Sequence, residues 1–222
     1  MFQDQRRAAL KALGVVLTLA VGGFLSAGFD DAQAQNATIP IEKLNAPQAL
    51  PDIVQGKAEA PVTIIEYASM TCPHCARFHA ETYPTLRDKY INTGKVRFIL
   101  REFPLDPRAA AAFMLARCSG DGEKRTAVVD LLFTTQESWA YSDTPLDALA
   151  NLMKQTGMSS KEFEACLNDQ KLYNKVVKER DDAGKDFSID ATPTFFINGA
   201  KYSGEMSVAA MSKILDPLVA KR

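Results

Sequence analysis

Two cysteines stand three positions apart in Cys72-Pro73-His74-Cys75. Thiols at that spacing can form, break and exchange a disulfide, so the stretch points to redox chemistry. From Cys75 onward Phe78, His79, Thr82, Leu86 and Tyr90 recur at three- and four-residue steps, the stripe of an amphipathic helix. The pair therefore stands at a helix N-terminus. Pro73 fits the first turn, where a missing N–H costs nothing, and Pro84 predicts a kink halfway along. Unpaired N–H groups and the positive end of the helix dipole stabilise an anion there, so Cys72 is expected to ionise more readily than a free thiol. His74, between the cysteines, adds a hydrogen-bond donor or a positive charge close to the thiolate. A fall in the Cys72 pKa from ~8.5 to ~4 would stabilise the reduced form by roughly 4 kcal/mol at pH 7 and make the couple about 90 mV more oxidising.

Other readings of the cysteine pair fit less well. Zinc needs four ligands, yet the other cysteines, Cys118 and Cys166, are far apart and the only histidines are His74 and His79. Covalent haem attachment requires histidine directly after the second cysteine, where this chain has Ala76. A purely structural disulfide would close a loop too small to stabilise much. Neither a metal nor another cofactor is expected.

The surrounding pattern supplies the elements that position the pair. Val62-Thr63-Ile64-Ile65-Glu66-Tyr67 is a β-branched run of strand length. Strand, tight turn, thiol pair and helix is the arrangement of a redox-active pair in a thioredoxin-like unit. Residues 35–61, with Pro40, Pro47, Pro51 and Pro61, read as a mostly extended lead-in with few helical prospects and no separate domain. Lys95 to Arg101 alternates as a second strand after a Thr93-Gly94 turn. From Asp106 to about Asp186 the pattern is helical, and a strand resumes at Thr194-Phe195-Phe196-Ile197. Asp106 caps a helix begun by Pro107 and ended near Gly120. A second helix puts Val128, Leu131, Leu132, Thr135 and Trp139 on one face, and a third runs from Pro145 to Gly157. Ser159 to Glu162 is a capping-box sequence opening a fourth, and a last helix carries Leu172, Val176, Val177 and Arg180. Four or five short helices of this kind make a small bundle inserted in the other domain. Cys118 and Cys166 fall on apolar faces of two of them, and in an oxidising compartment a structural disulfide between them is expected.

Thr192-Pro193 stands at the entry of the last strand, a place where proline is ordinarily trans and structural. Taken together, Cys-Pro-His-Cys, the helical interruption and Thr-Pro-Thr-Phe-Phe-Ile-Asn-Gly resemble the DsbA-type thiol:disulfide oxidoreductases of the thioredoxin superfamily. The resemblance covers about residues 36–222. It implies an α/β, thioredoxin-like fold with an inserted α-helical domain, split as 35–105, 106–186 and 187–222. It also implies that Pro193 is cis and faces the redox cysteines, that Thr192 and Pro193 leave a backbone edge for an extended substrate, and that Glu66 is the acidic residue beneath the site. With Val62 and Ile64 on its strand face, Glu66 is expected to be buried with a raised pKa and a part in proton transfer; the plain alternative is a solvated carboxylate.

Arg6, Arg7 and Lys11 precede a small-residue and apolar stretch from Ala12 to Phe29, then Ala32-Gln33-Ala34, the form of a cleavable export signal over residues 1–34. Ala12 to Phe29 also approaches the length of a membrane anchor, and the paired arginines resemble a twin-arginine signal with Ala9 in place of a large apolar residue. Export, to the periplasm, places the thiols where disulfides persist. A net charge of −1 leaves no basic footprint for nucleic acid. The expected function is donation of the Cys72–Cys75 disulfide to unfolded or reduced exported proteins. As the resemblance implies, a membrane-bound, quinone-linked thiol oxidase restores the disulfide; a monomer is expected. Two alternatives use the same thiols. An isomerase or reductase must be kept reduced, and residues 35–61 are too short for the dimerisation domain of the superfamily's isomerases. A thiol-reducing metallochaperone would bring Met or His ligands near Cys72, and none cluster there.

Overall fold

The computed structural model of the protein describes residues 38–220. The expected export signal and its cleavage site lie outside the described residues. Two β-branched and aromatic runs, Val62–Ala68 (β2) and Val96–Glu102 (β3), pair in parallel, with Val62 opposite Val96 and Glu66 opposite Leu100. A parallel pair needs a crossover, and the cysteine-bearing helical segment provides it. Thr194–Ile197 (β4) adds antiparallel to the free side of β2, setting Phe195 opposite Glu66, and Ala200–Ser203 (β5) follows through a tight turn. Gly199 in that turn has φ +90°, and a Cβ there would lie 2.4 Å from the Ile39 carbonyl oxygen, so only glycine fits. Ile53–Gln55 (β1) pairs antiparallel with the far side of β3, giving the sheet order β1-β3-β2-β4-β5.

Both faces of the sheet are covered, which is why the central strands are apolar on both sides rather than alternating. Val62, Ile64, Phe98, Leu100 and Phe195 face the crossover helix and most of the helices between β3 and β4. Ile65, Tyr67, Ile99 and Phe196 face the opposite side with Leu44, Ala183 and Phe187.

The crossover begins as Pro73–Arg77 (α2), passes through a π-type turn at Phe78–Thr82, resumes at Tyr83–Leu86 (α3) and ends in a second π-type turn at Arg87–Ile91. Proline at 84 removes one N–H and crowds the carbonyl four residues back, and the change of hydrogen-bond pattern falls beside it. Between β3 and β4 lie six helices: Pro107–Cys118 (α4), Gly122–Thr134 (α5), Gln136–Ala140 (α6), Pro145–Gln155 (α7), Ser160–Leu167 (α8) and Gln170–Phe187 (α9). Asp106 caps α4 through the Ala109 N–H, and Ser159 and Glu162 form the reciprocal capping box of α8. Cys118 and Cys166 are bonded, tying the end of α4 to α8 across 48 positions. Val208–Val219 (α10), capped by Ser207, closes the chain against α3 and β2. No helix among the described residues is long and apolar enough to cross a membrane.

Two features go beyond the sequence reading. Within the mostly extended lead-in lie the helical turn Ile41–Leu44 (α1) and the edge strand β1. Neither shows a local period, since β1 is three residues long and gains its partner only from β3. The helix drawn through Val128 and Trp139 is two helices, broken where the Thr135 hydroxyl donates to the Leu131 carbonyl 2.7 Å away.

Candidate active site

The redox pair is held by its own backbone and by two distant segments. Cys72 is the N-cap of α2 with extended backbone, Pro73 opens the helix, and the Ala76 N–H donates to the Cys72 carbonyl at 3.1 Å. Buried Gln136 of α6 donates its amide to the carbonyls of Met70 and Cys72 at 2.8 and 3.0 Å, and the Tyr141 hydroxyl donates to Thr71 O. The helical segment thus clamps the turn that presents the thiols. From the other side comes the Thr192–Pro193 loop, with a cis peptide bond and the Thr192 carbonyl oxygen 3.2 Å from Cys72 Sγ.

These surroundings act oppositely on the two free thiols. A hydrogen bond from the Cys75 thiol is the main influence drawing the Cys72 pKa from 9.0 to about 5; the backbone N–H groups of Cys75 and His74 add to it, and burial opposes. Burial pushes the Cys75 thiol well above its ordinary range, helped by the hydrogen bond it gives to Cys72 and by the charge of Glu66. One sulfur is thereby stabilised as thiolate and its neighbour as thiol. Cys72 is 4% exposed, less open than a freely accessible nucleophile, because Thr192 closes over it.

His74 serves this arrangement differently from the expectation. Its backbone N–H supports the thiolate, whereas its ring lies 3.2 Å from the Glu205 carboxylate, which also accepts from Arg77 at 2.9 Å. A carboxylate 131 positions away outcompetes the sulfur for the ring. Glu66 is fully buried, so the solvated alternative does not hold, and its Oε2 lies 2.9 Å from His79 Nε2. His79 reads in the sequence as one more member of an apolar stripe. Its polarity on a buried face, four positions after Cys75, is the signal that marks it. Gln136 and Glu205 carry no comparable signal, since only the packed fold brings them to the site. Among the described residues no three His, Cys, Asp or Glu side chains come together to hold a metal, and the Cys118–Cys166 bond does not include either active-site thiol.

Comparison with known proteins agrees with this geometry. The sequence profile of the Thioredoxin family matches residues 48–217. A Rickettsia conorii protein named as a candidate protein-disulfide oxidoreductase is 34% identical over 165 residues, which are 74% of this chain and 59% of that one. The chain thus spans about three fifths of the length of the curated relatives it matches. The crystal structure of α-DsbA1 from Wolbachia pipientis superposes with a TM-score of 0.75 at 34% identity, covering 81% of this chain and 96% of that one. A protein-disulfide isomerase from Novosphingobium aromaticivorans shares the fold at 23% identity, with a TM-score of 0.66 over 76% of this chain and 99% of that one. The paired thiols at a helix N-terminus, the cis Thr192–Pro193 loop against them and these likenesses place the chain in the thioredoxin family, among its DsbA-like members.

Proposed function

We propose that this protein is a disulfide donor that passes its Cys72–Cys75 bond to the reduced thiols of exported proteins. The observation that supports this most is the opposite displacement of the two thiols, Cys72 down to about 5 and Cys75 well above its usual value. A stable Cys72 thiolate favours the dithiol and leaves well, so the disulfide is handed on rather than kept.

In the oxidised protein a substrate thiolate attacks Cys72 Sγ, forming a mixed disulfide and releasing Cys75. A second substrate thiolate then attacks the substrate sulfur of that bond, and Cys72 departs as thiolate. Thr192 and Pro193 line the approach for an extended substrate, and a groove of about 470 Å³ beside Pro73, bordered by Ala76, Gln136 and Tyr141, gives room for flanking residues. The export signal over residues 1–34 sends the enzyme to the periplasm, where it works as a monomer and a membrane-bound, quinone-linked oxidase restores the disulfide.

Cys75→Ser is expected to accumulate mixed disulfides with reduced, unfolded proteins, and Cys72→Ser to abolish exchange. Mass spectrometry that finds no adduct on Cys75→Ser would sink the assignment. A redox potential near the thioredoxin value of about −270 mV would replace donation by reduction or isomerisation.

A further inference from the structure

The turn that leads into Cys72 is bound more completely than a connecting loop requires. Thr71 stands directly before the nucleophile, and its hydroxyl donates to Asp106 Oδ2 at 2.5 Å. The same Thr71 oxygen lies 3.3 Å from the Ser69 hydroxyl, which accepts the Leu105 N–H at 3.2 Å. Because the Thr71 proton is engaged by Asp106, the Ser69 hydroxyl is the donor to Thr71. A directed chain therefore runs from the Leu105 N–H through Ser69 and Thr71 to the Asp106 carboxylate. Main-chain groups of the turn are held as well. The Cys72 N–H donates to Ser69 O at 3.1 Å, and the Thr71 carbonyl accepts from the Tyr141 hydroxyl at 3.2 Å.

Asp106 divides its two oxygens between different tasks. Oδ1 accepts the Ala109 N–H and caps α4, which is all that a helix start asks of it. Oδ2 goes to Thr71, 35 positions away, and a charged acceptor makes that bond one of the strong ones. The two cysteines differ in their need for such an anchor. Cys75 lies inside α2 and is fixed by the helix. Cys72 is the cap, with extended backbone, and only its carbonyl belongs to the helical ladder. Where its sulfur stands relative to Cys75 thus depends on how firmly residue 71 is held.

We infer that Asp106 and Thr71 are positioning residues for thiol exchange, holding Cys72 where Cys75 can reach it and so setting the effective concentration of one thiol at the other. The inference rests on the exchange reading above. The step it serves is escape from a mixed disulfide that meets no second substrate thiol. Cys75 loses its proton to water, and its thiolate attacks Cys72 Sγ. The Cys72–Cys75 bond forms, the bond from Cys72 to the substrate sulfur breaks, and the substrate leaves with the electron pair as a thiolate. Holding the two sulfurs together in advance removes much of the entropic barrier to closure. A looser turn gives the dithiol more freedom to lose, so the disulfide closes less readily.

The test equilibrates the protein with glutathione buffers and reads the oxidised fraction by alkylation and mass spectrometry. Thr71→Val keeps the shape of the side chain and removes the hydroxyl. It is expected to lower the equilibrium constant for closing the disulfide about tenfold, the lower end of what a charge-assisted hydrogen bond contributes, which is a rise in potential of about 30 mV. Thr71→Ser should restore the wild-type constant. Asp106→Ser retains a good cap but is too short to reach Thr71, and should reproduce the loss. Combining it with Thr71→Val should lower the constant no further, since both remove one bond. The alkylation profile of Cys72 against pH stays as in the wild type throughout. A wild-type constant in Thr71→Val and Asp106→Ser would overturn the inference. So would a Thr71→Ser variant as impaired as Thr71→Val, additive losses in the double variant, or a loss matched by a shifted Cys72 profile. A wild type that forms no disulfide in equilibrium with glutathione would refute the exchange reading instead.

Discussion

Acidification of the reduced protein tests the electrostatic argument directly. With Cys72 lowered from 9.0 to about 5 and Cys75 held protonated, the dithiol carries one proton fewer than an ordinary dithiol across the neutral range. At pH 7 this favours the reduced form by about 3 kcal/mol, equivalent to roughly 60 mV of oxidising power. The folded pKa is depressed, so the stabilisation is complete above pH 9, shrinks as the pH falls, and is gone below about 5. Reduction thus takes up one proton per two electrons above pH ~5 and two below it. Equilibration with glutathione buffers, read by alkylation and mass spectrometry, should show the potential rising by about 30 mV per unit of acidification down to pH ~5 and by about 59 mV per unit beyond. Thiolate absorbance should titrate at the same point. A slope of about 59 mV per unit persisting up to pH 7 would refute the reasoning, because Cys72 would then be a protonated thiol throughout.

Three further outcomes are expected. Replacing Cys118 and Cys166 together by alanine releases the link across 48 positions and should lower stability by roughly 4 kcal/mol on chain-entropy grounds, measured by urea unfolding, with the Cys72/Cys75 potential unchanged. Glu205→Gln leaves the positive charge of Arg77 unpaired at the end of α2, the helix that Cys72 caps. The potential should rise by about 10–20 mV, the scale of a partly exposed ion pair, and a fall would contradict the assignment. Glu179 accepts the Leu50 N–H from a buried position, and burial raises its pKa to about 7. A raised carboxyl pKa costs stability as the pH climbs from the unfolded value near 4.5 to about 7. Glu179→Gln should therefore remove a pH-dependent loss of up to about 3 kcal/mol, visible as a thermal midpoint that no longer declines over that range.

The local signals lay in the chain itself. Cysteine spacing, Pro73 at the first helical position, the Asp106 cap, the Ser159–Glu162 capping box and the β-branched runs of β2 and β3 each depend on residues within a few positions of one another. Short-range geometry and backbone hydrogen bonding decide such features, so they can be read without knowing the fold. They sufficed to place the reactive thiol, its helix and the helical interruption of the sheet.

Tertiary packing decided the rest, because each remaining partner lies far along the chain. The Thr192 carbonyl reaches Cys72 across 120 positions, Gln136 grips the cysteine turn across 64, and Glu205 draws the His74 ring away from the sulfur across 131. Glu66 and His79 are separated by only 13 positions, but their pairing needs a strand and the following crossover helix to be stacked face to face. Strand β1 likewise has no identity until β3 offers it hydrogen bonds. Residue types in the sequence set which chemistry is possible; burial and long-range hydrogen bonding set which sulfur carries the charge, because the cost of a charge depends on everything packed around it.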